Sequence, residues 1–430
     1  MNASTKTVFA LEKGKRGELN DLSIMYLLNT FPKLSTTFVL NEILQLQKMG
    51  SRVHIFSLAR SGEEKVHRKA VALIERTVYL SELRREEKIR ALIRLILRHP
   101  IRLLKSTWFV MGQDSDNRSW TFKQAIYVAD KAIRLGVRHI HAHFAVDAAE
   151  HAMLASMLSG IPYSMTGHAF DIYIRQKLLR EKMNRAKFVV TVCDYNKKYL
   201  LEYNPAFPAD RLHVIHVGID AELFSQDHSA QDHQQGRGPF HITSIGRLVE
   251  KKGLPYLIQA LGILNREAVK FRCTIVGEGP ERATLERLIN ESQLDSMVRL
   301  VGAQESDQVK TVLQGADVFV LPCIVAKDGD RDATPTVLLE AMAMGIPVVS
   351  TSVAGIPEVV PKEAGILVPP GEAPALARAI KAVAELSENE RTAMREYGRK
   401  HVSVHFNIDN EVRRLAYLFL TENSRASTGK

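Results

Sequence analysis

Apolar residues fall along this chain in two alternating rhythms. Short, nearly continuous runs such as Ser23-Ile24-Met25-Tyr26-Leu27-Leu28 and Val53-His54-Ile55-Phe56-Ser57-Leu58 have the length of strands buried on both faces. Between them FVLNEILQLQKMG places its apolar residues at helical intervals, behind Thr36 or Thr37, and stops at Gly50. The alternation continues through a basic helix, a helix near 121–135, a strand at 138–144, a helix at 146–158 and strands at 162–166, 187–192 and 212–216. Residues 225–239, SQDHSAQDHQQGRGP, are polar and Gln-rich and read as a linker. The pattern then restarts, with strands at 240–246, 272–277, 298–302, 317–321, 346–350 and 365–368 and helices at 255–264, 281–292 and 335–344. Such alternation predicts an α/β protein with two doubly wound parallel sheets. The expected boundaries are a tail at 1–22, a first domain at 23–224, the linker, a second domain at 240–395, and helices at 396–430 that cross back to the first domain.

Composition narrows this frame. The chain has 430 residues, 45% apolar and 25% charged, which suits a globular protein of two or three domains. Cys193, Cys273 and Cys323 are widely spaced and form no CxxC, which argues against disulfides and thiolate metal sites and for a reducing, cytoplasmic compartment. No run of about 18 apolar residues occurs, so no spanning helix is expected. The N-terminal MNASTKTVFALEKGKRGELN lacks the apolar stretch of a secretory signal.

The net charge of +10 fits an anionic partner. Basic residues are densest at 84–105, where Arg90, Arg94 and Arg98 interleave with Ile89, Leu92, Ile93, Ile96 and Leu97 at helical spacing. Either a helix lying on an anionic membrane or a core-packed helix with a solvated basic face satisfies that pattern. No zinc-finger spacing or aromatic RNA-binding string occurs, so no nucleic-acid partner is expected.

The segment Asp332-Ala333-Thr334-Pro335-Thr336-Val337-Leu338-Leu339-Glu340 concentrates the chemistry. Thr334 suits an N-cap and Pro335 the first helical position, which leaves Asp332 in the loop before the helix and Glu340 on it, roughly 7 Å along the axis. Helical side chains lean toward the N-terminus, where exposed N–H groups favour an anion. Two acids flanking an anion site suit a ligand with hydroxyls and phosphate; two unrelated surface acids also fit the spacing. In GRLVEKKG, Arg247 and Lys252 follow a strand end and could hold phosphate. Gly277 and Gly279, in GEGP, allow close backbone approach or a tight turn. His168 follows another strand end, where it could donate to a sugar hydroxyl or simply bond within its loop. His139, His141 and His143 alternate on one strand, but the stretch has no carboxylate or Cys partner and reads as buried strand, not zinc site. Asp328-Gly329-Asp330 reads as polar loop.

Together these residues resemble the family 4 retaining glycosyltransferases of the GT-B fold, from about Ile24 to about Leu420. The E-x7-E motif matches Asp332 to Glu340, the phosphate-binding pair matches Arg247 and Lys252, the GxGP turn matches Gly277 to Pro280, and the cleft histidine matches His168. FPKLSTTFVLNEI, HAHFA and DGDRDATP are similar to the subgroup that builds exopolysaccharides such as colanic acid. The resemblance implies two Rossmann-like domains facing across a cleft, an acceptor side on the first and a nucleotide-sugar side on the second. It implies hexosyl transfer from a UDP- or GDP-linked sugar to a polyprenyl-diphosphate-linked acceptor, with no metal or other cofactor, at the cytoplasmic face of a membrane, which the basic stretch 84–105 could touch if it is the membrane-lying helix of the two readings. Its catalytic residues would be His168, Asp332, Arg247 and Lys252. The donor side would add Gly246, Gly277, Gly279, Ala333, Thr334, Pro335, Thr336 and Glu340, and the acceptor side Ser35, Thr36, Thr37 and His143. Two positions depart from the family: Asp332 stands for the usual Glu and Ala333 for the usual Gly, which bears on donor-sugar choice. A same-fold epimerase or phosphorylase, or a non-catalytic sugar-nucleotide binder, stays open at this stage.

Overall fold

Near-continuous apolar runs become central strands because both faces of each strand are covered. The computed structural model describes residues 19–20, 22–33, 36–63, 67–113, 118–221, 224 and 238–424. Most of the expected tail, Ser35, and the expected linker up to residue 237 lie outside the described residues.

The chain divides into two compact units. The first holds Met1–Val192, Lys197–Gly218 and Ile408–Lys430; the second holds Cys193–Asn196 and Ile219–Asn407. In the first unit β1 (Ser23–Phe31), β2 (Arg52–Arg60), β3 (Val78–Tyr79), β4 (His139–His143), β5 (Tyr163–Gly167), β6 (Phe188–Thr191) and β7 (Leu212–Val214) form one sheet. Its order is β3-β2-β1-β4-β5-β6-β7, parallel throughout. In the second, β8 (Phe240–Ile245), β9 (Phe271–Val276), β10 (Val298–Leu300), β11 (Val318–Leu321), β12 (Val348–Thr351) and β13 (Gly365–Val368) form the other. Its order is β10-β9-β8-β11-β12-β13, again parallel. The two Rossmann-like sheets are therefore as expected. The edge strand β3 is an addition: two residues are too few to show a period of two.

Ten helices support the sites: α1 (Thr37–Lys48), α2 (Arg85–Arg98), α3 (Pro100–Met111), α4 (Arg118–Arg134), α5 (Asp147–Ser159), α6 (Leu254–Arg266), α7 (Thr336–Ala343), α8 (Ala373–Ala384), α9 (Glu388–His405) and α10 (Ile408–Ser424). The single basic helix expected over 84–105 is in fact two. Pro100 occupies a first-turn position of α3, and its ring restricts His99, which sits at φ −139° and ψ 50°. A proline there can start a helix but not continue one.

The first core joins Ile24, Tyr26 and Leu28 of β1 to Leu40 and Ile43 of α1 and to Leu415 and Phe419 of α10. In the second unit, α6 and α8 bury Leu257, Leu261, Leu376 and Ile380 against Ile242, Ile275 and Val320 of the sheet. A further cluster on that unit packs Leu338 and Met342 of α7 with Phe319, Val348 and Val402. α7 is fixed from its far end as well, where Arg399 of α9 donates to the Met344 carbonyl at 3.2 Å.

Candidate active site

In each sheet the strand order reverses direction beside the strand that comes first in sequence, and open α/β sheets bind ligands at the carboxyl ends there. In the second unit that point lies between β8 and β11. β8 leads into Gly246 and Arg247, and β11 into the loop that carries Asp332. Topology thus brings together residues some 80 positions apart in sequence, and their charges meet. Lys252 Nζ lies 2.5 Å from Asp332 Oδ2, and Lys251 Nζ bridges Asp332 Oδ1 and Asp330 Oδ2, each at 3.1 Å. Burial alone would raise the Asp332 pKa, but Lys252 and Lys251 overcome it and hold the carboxyl down to about 2. Burial likewise works against the Lys252 ammonium, and Asp332 outweighs it, so this lysine's pKa is raised. Arg247 differs: it is exposed and forms no ion pair among the described residues. Two lysines against two aspartates balance, and the Arg247 charge lies close enough to work against the Lys252 ammonium.

Gly277 and Gly279 act first on packing. Both have positive φ (147° and 158°), and a Cβ on Gly277 would run into the Gly246 carbonyl oxygen and one on Gly279 into the Leu248 backbone. Glycine at these two positions lets the 277–280 turn press against the loop that holds Arg247.

α7 begins at Thr336, one residue later than expected, with Pro335 at its N-cap and no side-chain cap bond. Thr334 is therefore not the cap; proline at 335 leaves that position without a backbone N–H to satisfy. Ala333 is buried and is not among the residues with positive φ, so it takes the place of the usual Gly without backbone strain. Glu340 lies half-buried on the helix, and desolvation raises its pKa to about 7 against the pull of Lys310. The Asp328–Asp330 string is loop chemistry: Asp328 Oδ1 accepts from the Asp330 N–H at 2.9 Å, and the Asp330 carboxylate is taken by Lys251.

In the first unit the reversal lies between β1 and β4. His143 ends β4, Phe144 follows at φ 69°, and His168 follows β5. His168 lies with ring centroids 4.5 Å from Phe144 and 5.0 Å from Phe38, and its backbone N–H donates to Asp171 Oδ1 at 2.9 Å. Burial and the neighbouring His143 push its pKa well down, so the ring is neutral at pH 7. His143 Nδ1 lies 3.4 Å from His168 Nε2, and His143 Nε2 lies 2.8 Å from Glu42 Oε1, which also accepts from Tyr26 at 2.6 Å. Thr36 Oγ1 donates to the Lys33 carbonyl at 3.2 Å and Thr37 opens α1.

This unit corrects the expectation of no metal and no cofactor. Glu42 of α1 supplies the carboxylate that the histidine strand lacks in sequence, and the ligand atoms of Glu42, His141 and His143 all lie within 4.8 Å of one another. Two imidazoles and a carboxylate are a donor set able to hold a metal ion. The histidines share one face as their alternation requires, with His139 Nε2 and His141 Nδ1 each 2.7 Å from Ser164 Oγ and His141 Nε2 3.0 Å from Thr166 Oγ1.

Some site features carried no chemical signal in the sequence. Glu42 and Asp171 each join elements far apart in sequence. Lys251 reads as one more basic residue in EKKG, although it makes two of the cluster's ion pairs. A cavity of about 690 Å³ in the first unit, lined by Trp120, Gln124, Asp147, Glu150, Arg175 and Lys177 among others, contains none of the expected site residues.

Comparison with known proteins places this geometry. Residues 35–223 match the model of Glycosyltransferase Family 4, and residues 225–401 that of Glycosyl transferases group 1. The chain is 31% identical to the putative colanic acid biosynthesis glycosyltransferase WcaL of Escherichia coli (strain K12), over 92% of this chain and 99% of that one. It is 32% identical to the amylovoran biosynthesis glycosyltransferase AmsK of Erwinia amylovora, over 81% and 87%. Among solved structures, a glycosyltransferase from Rickettsia africae ESF-5 superposes with a TM-score of 0.71 at 18% identity, over 94% of this chain and 99% of that chain. Anabaena Alr3699/HepE, solved in complex with UDP-glucose, gives 0.68 at 18% identity, over 93% and 99%. With two Rossmann-like sheets, a motif-bearing loop at the second sheet's reversal point and full-length relatives of this kind, the chain belongs to the GT-B glycosyltransferases of family 4 and is related to the colanic acid and amylovoran biosynthesis enzymes.

Proposed function

We propose that this glycosyltransferase moves a hexosyl group, with retention of anomeric configuration, from a UDP- or GDP-linked sugar to a hydroxyl of a polyprenyl-diphosphate-linked exopolysaccharide unit, at the cytoplasmic face of a membrane. The observation that carries the reading is the buried Lys252–Asp332–Lys251 cluster beside the uncommitted Arg247, at the reversal point of the second sheet. Diphosphate carries the charge such a cluster is built to receive. The names of the colanic acid and amylovoran relatives support the acceptor class, and the UDP-glucose of the Anabaena protein supports the donor class.

In this reading Arg247, Lys252 and the backbone N–H groups at the mouth of α7 stabilise the diphosphate as it leaves. Gly246, Gly277 and Gly279 shape the loops around it, Glu340 accepts from the ribose hydroxyls, and Asp332, beside Ala333, accepts from the sugar. The bond from the anomeric carbon to the phosphate oxygen breaks, and one to the acceptor oxygen forms on the same face. The acceptor proton passes to an oxygen of the departing diphosphate, so no protein nucleophile is needed. His168, neutral through burial, is the first unit's hydrogen-bonding group for a sugar hydroxyl. Thr36, Thr37 and His143 belong to the acceptor side. Release of UDP or GDP from a panel of nucleotide sugars, with the product's anomeric configuration read by NMR, tests the proposal. Product with inverted configuration, or isomerised donor in the absence of acceptor, would overturn it.

A further inference from the structure

The basic stretch that divides into α2 and α3 leaves its apolar side outward. Leu97 is 76% exposed, Ile101 70%, Leu104 72%, Trp108 78% and Met111 70%. Their intervals of four, three, four and three residues keep one continuous stripe across the break at His99 and Pro100. Scattered exposed apolar residues are ordinary, but a contiguous stripe marks a contact surface.

Charge selects the occupant. From Lys88 to Gln113 the chain has six Lys and Arg residues and no Asp or Glu. Two of these cations hold the helices to the body of the unit. Arg94 makes a two-pronged bond to Asp130 of α4, 2.7 Å on each side, and Arg102 donates to the Ser159 carbonyl at the end of α5. Arg98 and Lys105 are exposed and form no ion pair among the described residues. An apolar stripe that includes a tryptophan, flanked by unpaired cations and no acids, fits the headgroup layer of an anionic bilayer. A second copy of the chain would bring the same uncompensated positive charge against itself.

We infer that α2 and α3 together form a docking surface for an anionic bilayer, with Leu97, Ile101, Leu104, Trp108 and Met111 entering the headgroup layer and Arg98 and Lys105 meeting lipid phosphates. This goes beyond the donor site and shares no residue with it. Toward the other end of α2 from Leu97, Lys88 lies over the ring of the half-exposed Trp120 at 4.6 Å, and Trp120 lines the first unit's cavity.

The test is sedimentation of the full chain with vesicles of phosphatidylcholine alone and of phosphatidylcholine with phosphatidylglycerol. Binding to the anionic vesicles is expected, weakened by salt. Leu104→Ser with Trp108→Ser is expected to lower it at least tenfold, and Arg98→Gln with Lys105→Gln to abolish the preference for anionic lipid. Hydrolysis of donor in solution should be unchanged in all variants, which separates failure of this surface from failure of the donor site. Arg94 stays intact, because its loss would unseat α2 from α4. No vesicle binding by the parent chain, or a parent dimer by light scattering that the Leu104→Ser, Trp108→Ser variant converts to monomer, would overturn the inference.

Discussion

Asp332 and Glu340 bear the same functional group on one short segment, and the fold holds them in opposite states. Asp332 lies in the loop between two lysines, which keep it ionised down to about pH 2. Glu340 lies eight positions on, half-buried on α7, where desolvation lifts its pKa to about 7. The difference comes from neighbours rather than from the acid. Loop residues after β8 bring cations to Asp332, whereas among the described residues only Lys310 opposes the effect of burial on Glu340. One end of the motif is therefore a fixed charge that organises cations, and the other is a carboxyl whose charge a ligand can set.

Variants that remove one side of this contrast should act in a graded order. Arg247→Ala and Lys252→Ala should each lower kcat/KM about a hundredfold or more with the fold intact by circular dichroism, because both oppose charge that develops on the leaving diphosphate. Near-parental rates in both would remove the phosphate assignment.

Asp332→Asn should cost ~2–3 kcal/mol in denaturant unfolding at pH 7, the worth of a carboxyl held near 2 against an unfolded value of about 3.9. A depressed pKa gives stability that is present above about pH 4 and lost as the pH falls toward 2. The parent and the variant should therefore converge in stability at acid pH.

Glu340→Gln should weaken donor binding about tenfold and flatten its pH dependence. In the parent, affinity measured by calorimetry should rise as pH climbs through about 7, because only the ionised carboxylate accepts two hydroxyls. The same ionisation works against the ligand-free fold: a raised acid pKa means that stability falls as pH rises through about 7, and the variant should lack that slope. A pH-independent affinity in the parent would show that Glu340 does not meet the ribose. Lys251→Met should have the smallest effect, a loss of about 1 kcal/mol with turnover largely kept, since Lys252 still holds Asp332. A loss of turnover as large as that of Lys252→Ala would show that both lysines reach the diphosphate.

The sequence carried the two sheets because every strand except the edge strand β3 is long enough to display its apolar run. The residues of the charged cluster drew attention for a similar reason: Arg247, Lys252 and the 332–340 segment are short local strings. What stayed hidden depends on tertiary approach. Nothing near HIHAH announces that Glu42, about a hundred residues earlier, will complete its donor set. Pro100 was visible, but the helical apolar spacing on both sides of it reads as one helix, and the chain resumes the same stripe after a break. Arg94, which in sequence belongs with the solvent-facing cations of that stripe, is drawn inward by Asp130, an acid 36 residues away on another helix. Periodicity places a side chain on a face of its own helix, and only packing decides what that face meets.

The central claim is that a nucleoside diphosphate sits at the Lys252–Asp332 cluster and runs to Glu340. A crystal structure of the chain with UDP or GDP tests it directly. Phosphate oxygens are expected within hydrogen-bond distance of Arg247, Lys252 and the backbone N–H groups at the start of α7, with both ribose hydroxyls on Glu340. Phosphate density elsewhere, with the Lys252–Asp332 pair undisturbed and Glu340 free of ribose, would contradict it.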